Sequence, residues 1–173
     1  MEPYREETTF LLETLVNKAS GQDEDGFDLC FTRSSIKVDG EKGSARFVKA
    51  MVEARPVERI FTDMNHALGR LLQDHLEYID HQRQQIPKWK KKPTNWIKDL
   101  TIIVFTDGLW EGMKDKNSLK DKIVRFVQEL ERREIGMLDE RLVSIQFVQF
   151  GEDEDAWQRL QRLDNGMRYS GIA

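Results

Sequence analysis

Leu100–Gly108, LTIIVFTDG, is the stretch where a run of apolar and β-branched residues ends abruptly in a carboxylate. From Leu100 to Phe105 no charge marks either face. Such a run predicts a strand buried on both sides, which places it in the middle of a parallel sheet covered by helices. Asp107 falls where that strand leaves the sheet. Open α/β sheets bind ligands at the carboxyl ends of their strands, so polar residues gathered there form a candidate site.

The flanking chain alternates helix and strand signals. Pro3 lies near a helix start, and Phe10, Leu11, Leu12, Leu15, Val16 and Ala19 recur at three-and-four spacing as one amphipathic helix. After the polar turn 20–26, FDLCFT (27–32) predicts a strand with Phe27, Leu29 and Phe31 on one face and Cys30 as a small buried side chain on the other. Ile36 and Val38 suggest an edge strand, and residues 44–54 a helix capped by Ser44. Thr62 or Asp63 caps a long helix whose stripe, Met64, Ala67, Leu68, Leu71, Leu72, Leu76 and Ile79, ends near Gln85. Beyond Asp107, residues 117–134 read as a helix with Leu119, Ile123, Phe126, Val127 and Leu130 inward and Asn117 or Ser118 as cap. LVSIQFVQFG (142–151) is a further strand. The acidic run 152–155 then opens a helix containing Trp157, Leu160 and Leu163, where negative charge suits the helix dipole without any metal.

This order predicts a mostly parallel α/β sheet with helices on both faces, in one domain spanning residues 1–173. With 39% hydrophobic and 34% charged residues, the chain has the composition of a globular protein with a charged surface. No apolar run reaches the roughly 18 residues of a membrane span. The polar start, MEPYREETTF, and a single cysteine point to a cytoplasmic or nuclear, intracellular setting. A net charge of −4 provides no general attraction to nucleic acid. The basic Pro/Lys segment 86–97 reads as an exposed connector, with Lys88, Lys90, Lys91 and Lys92 offering an alternative role in docking anionic ligands.

Several chemistries lack their residues. No glycine-rich phosphate loop follows a strand. A dehalogenase-type phosphatase needs an aspartate two residues before Asp107, where Phe105 stands. His66, His75 and His81 fall on the long helix without a metal-like companion and read as solvated. What remains is Thr62, at a helix start after an irregular loop, and Asp107. Their hydroxyl and carboxylate oxygens are the hard donors that Mg²⁺ selects.

That pairing, together with FDLCFT, FTDM, IIVFTDG and VSIQFVQFG in this order, resembles the von Willebrand factor A (vWA) domain, and in detail the intracellular type found in fungal multidomain proteins. The resemblance implies a three-layer Rossmann-like sandwich. It also implies a non-enzymatic protein-protein interaction module with a metal-ion-dependent adhesion site (MIDAS), completed by an acidic residue of a partner. In that family three segments hold the metal. Thr62 matches the second and Asp107 the third. The first, Asp-x-Ser-x-Ser at the end of the first strand, is absent from residues 1–173, which implies a domain truncated at its N-terminus so that the motif and the first central strand are both missing. Loss of that strand would leave two neighbours unpaired, at about 1 to 3 kcal/mol for each buried orphan group, against a domain stability of about 5 to 15 kcal/mol. Mg²⁺ binding is therefore expected to be weak, with Asp63 and Glu111 as substitute ligands. Phe61 also replaces the glycine that usually precedes the threonine. A hydrolase or transferase using Asp107 as its catalytic carboxylate is the alternative, and it requires a second acid or base nearby.

Overall fold

The computed structural model describes residues 2–22, 24–55, 61–87, 97–113, 115, 118–133 and 143–168. Among them the chain forms a 3₁₀ turn Glu2–Tyr4, α1 Arg5–Ala19, β1 Phe27–Cys30, β2 Lys37–Glu41, α2 Ser44–Glu53, α3 Met64–Gln85, β3 Leu100–Thr106, α4 Ser118–Arg132, β4 Val143–Gln149 and α5 Glu154–Arg168. The class is mixed α/β. Instead of one mostly parallel sheet, the described strands make two small ones: β1 and β2 are antiparallel, and β3 and β4 are parallel. Lys98, just before β3, forms an ion pair with Asp25, just before β1, yet the two strands share no ladder.

The larger core lies on one face of β3 and β4. Leu100, Ile102 and Val104 stand in register with Val143, Ile145 and Phe147, and this face meets the inner stripes of α3 and α4. Leu68, Leu72, Ile79 and Leu119 are at most 2% exposed. These side chains recur every three or four residues, which puts them on one side of their helices. Asp63 caps α3, its Oδ1 accepting from the His66 amide at 3.1 Å. The other face of the same sheet pairs Thr101 with Ser144 and Ile103 with Gln146, and Ile103 is 38% exposed. The expectation of burial on both sides is thus corrected. The described helices cover one face, and on the other only Phe105 reaches a second cluster.

That smaller core joins α1, α2 and the β1/β2 pair around Leu12, Val16, Val38, Phe47, Ala50 and Met51. Three local expectations change here. Phe10 points outward, 72% exposed, because the inner stripe of α1 is Thr8, Leu12 and Val16. Thr8 tolerates burial because its hydroxyl donates to the Tyr4 carbonyl at 2.6 Å. Cys30 is exposed rather than buried, since the opposite face of its short strand carries the core contacts. Ser44 is the first helical residue of α2, whose N-cap is Gly43, with no side-chain cap bond. The Arg5 guanidinium donates to the carbonyls of Met51 and, at 3.0 Å, Ala54, so the start of α1 closes the end of α2.

Helices α3 and α4 run parallel, with Lys122 lying over Gly69, His75 against Phe126, and Arg133 holding Asp80 through two hydrogen bonds of 2.9 Å. The histidines do not all behave as solvated helix residues. His66 and His81 are exposed, but His75 is half-buried, stacks on Tyr78 at 5.8 Å, and has a buried Nε2 with no hydrogen-bond partner among the described residues. Burial lowers its pKa from 6.5. A depressed folded pKa means that the folded state binds fewer protons than the unfolded one. The stability associated with neutral His75 is complete above about pH 6.5 and falls as the pH drops toward the folded value. His75→Phe, which keeps a ring between the helices, is expected to flatten part of the fall in melting temperature between about pH 7 and pH 5. Superimposable pH profiles for the two proteins would exclude that role.

Candidate functional site at the carboxyl end of β3

β3 ends in Thr106, which is 3% exposed and organises the turn after it. Its hydroxyl oxygen accepts from the Gly108 amide and from the Trp110 indole, each at 2.9 Å, while its carbonyl accepts from the Phe150 amide at 2.8 Å. Asp107 Oδ1 accepts from the Leu109 amide at 3.1 Å, an Asx turn that fixes the carboxylate beside its own backbone. Gly108 then adopts φ +75°, and a Cβ there would stand 2.4 Å from the Cβ of Ala156. Only glycine meets both conditions without strain.

The segment before α3 and helix α5 converge on this loop. The Gly112 amide donates to the Thr62 carbonyl at 3.1 Å, so the segment before α3 is tied to the segment after β3. The start of α5 arrives through Ala156, which is fully buried, and α5 is capped by Asp153 Oδ1, which accepts from the Ala156 amide at 2.8 Å. The Arg159 guanidinium donates to the Gly108 carbonyl and stacks 5.7 Å above the Trp110 ring, whose neighbour is Phe147 at 5.9 Å. Trp110, 5% exposed, is the plug that seals the loop onto the larger core.

Thr62 and Asp107 therefore belong to adjoining loops, linked through Gly112. Both are half-buried, while Asp63 and Glu111 are exposed. Thr62 and Asp107 offer two side-chain donors, and Asp63 Oδ1 is engaged as the cap of α3. Among the described residues no three His, Cys, Asp or Glu side chains cluster closely enough to hold an ion. A full divalent site takes six or more oxygens, several of them water.

Thr106, Trp110, Asp153 and Arg159 hold this site together and were not singled out from the sequence. A tryptophan three residues past a strand-ending Asp is the signal that could have marked the loop as packed. Lys88, Lys90, Lys91 and Lys92 lie outside the described residues, as do Asn117, Lys114 and Lys116. Between the end of β4 and the start of α5, an open depression of about 500 Å³ is lined by Gln149, Gly151, Glu152, Glu154 and Trp157. No described helix is long and apolar enough to cross a membrane. No family model, no curated protein and no solved structure matches this chain.

Proposed function

We propose that the chain is an intracellular protein-protein interaction module of von Willebrand factor A type, a three-layer Rossmann-like fold whose adhesion site is incomplete. The observation that carries this reading is the bond from Gly112 to Thr62, which joins the two loops bearing Thr62 and Asp107 at one sheet edge. The parallel β3–α4–β4 unit and the antiparallel β1/β2 hairpin beside it are consistent with such a sandwich. Exposed apolar side chains at the same edge, Phe61, Leu109 and Trp157, favour protein docking over small-molecule chemistry. The short donor set argues that any Mg²⁺ is held weakly.

Titration with Mn²⁺, followed by paramagnetic broadening of backbone amide signals, tests this reading. Broadening is expected only at millimolar ion and should centre on residues 62–63 and 107–111, with Asp107→Ala removing it. Broadening centred elsewhere would sink the assignment of the edge. Micromolar Mg²⁺ affinity by calorimetry, abolished in Asp107→Ala, would show a competent adhesion site instead of an incomplete one.

A further inference from the structure

The depression beside α5 has a chemistry of its own. Trp157 forms one wall and is 49% exposed, although a tryptophan in the first turns of a helix packed on a sheet would ordinarily turn inward. Glu152 and Glu154 form the rim, and both are exposed. Leu109, 44% exposed, stands on the neighbouring loop, which touches α5 through the contact of Gly108 with Ala156. The segments 61–63, 107–113 and 150–157 at this edge contain Asp and Glu but no Lys, Arg or His, and the lysines of the loop after β3 follow in sequence at 114 and 116. Arg159, the next cation along α5, is directed to the Gly108 carbonyl and Trp110.

An exposed indole face bordered by carboxylates attracts a cation through the ring quadrupole and through charge, and both effects strengthen as water leaves. Arginine satisfies both demands, since its planar head stacks on aromatic rings and forks onto carboxylates. An apolar residue beside that arginine would rest on Leu109. The geometry points to a docking surface for a basic-apolar segment of a partner polypeptide, its arginine entering the depression between Trp157 and the Glu152/Glu154 rim without any metal. This rests on the reading of the edge as a protein-docking surface, but it reverses the partner's charge, because a metal-completed adhesion site selects an acidic residue.

Calorimetry of the full chain with three short synthetic peptides separates the possibilities: one alternating Arg and Leu, one with Glu in place of Arg, and one with Ser in place of Leu. The Arg/Leu peptide is expected to bind in metal-free buffer, and the Arg/Ser peptide at least several-fold more weakly. Trp157→Ala should weaken the Arg/Leu peptide about tenfold. Glu152→Gln should weaken it about threefold, an effect that shrinks as salt is raised. Phe10→Ser, on the exposed side of α1, should leave binding unchanged. Circular dichroism checks that each variant is folded. Arg/Leu binding indifferent to both site variants would overturn the proposal. If only the Glu/Leu peptide binds, and only with Mg²⁺, the adhesion-type reading stands and this one falls. If no peptide binds, this proposal falls, while the Mn²⁺ broadening at residues 62–63 and 107–111 decides the adhesion-type reading separately.

Discussion

Truncating Phe47 to alanine is expected to destabilise the chain by about 3 to 5 kcal/mol, a large part of a typical domain's total. Phe47 is 1% exposed and is the largest side chain fully enclosed by the smaller core. Its removal leaves a cavity that α1, α2 and the β1/β2 pair must either tolerate or collapse around. Leu68→Ala in the larger core is expected to cost about 2 to 5 kcal/mol, so the two variants are comparable in size but differ in place. The described clusters meet through Phe105, which belongs to β3 yet packs against the Phe47 side. Hydrogen exchange should therefore show protection lost first in α1 and α2 of the Phe47 variant, with β3 and β4 still protected. Loss of protection spread evenly over both halves would show the two cores to be one cooperative unit.

Gly108→Ala should be the most damaging single-methyl change at the candidate site, about 2 to 4 kcal/mol in a urea denaturation series. Two costs combine there. The backbone is in the left-handed region at φ +75°, and the new Cβ would meet Ala156 Cβ at 2.4 Å, where α5 cannot retreat without releasing Arg159 from the Gly108 carbonyl. Gly21→Ala separates the two, because Gly21 has φ +88° but nothing within 4 Å of its added Cβ. That control is expected to lose only the conformational part, about 1 kcal/mol. Equal losses in the two variants would mean that the contact between the loop and α5 relaxes freely.

The helical stripes were legible in the sequence because each carries one period and one face. Leu68, Leu72, Leu76 and Ile79 emerge buried, and Asp63 caps α3 in a way its position suggested. β3 misled for the opposite reason. An all-apolar run carries no alternation, so LTIIVFT alone does not say which face is covered; the signal lay in β4, whose Ser144 and Gln146 stand opposite Thr101 and Ile103. Phe10 misled because a polar residue, Thr8, took the inner position by bonding its own helix. Strand pairing is a long-range choice that local pattern does not encode, which is why a single expected sheet resolves into two pairs among the described strands. At the site, Thr62 and Asp107 were visible as donors. Thr106, Trp110 and Arg159 were not, since their roles depend on contacts that cross from β3 to α5.

The bond from the Trp110 indole to Thr106 also makes two of the chain's four tryptophans usable as optical reporters once Trp89 and Trp96 are replaced by phenylalanine. Trp110 is sealed, hydrogen-bonded and overlain by a guanidinium, while Trp157 stands half in water on the adjoining helix. One indole should emit at shorter wavelength and resist a soluble quencher, and the other should emit further to the red and yield to it. Anything that loosens the turn after β3 alters the first signal, and anything that settles into the depression alters the second. In that doubly substituted chain the two events at this edge can be told apart by colour, without attaching a probe.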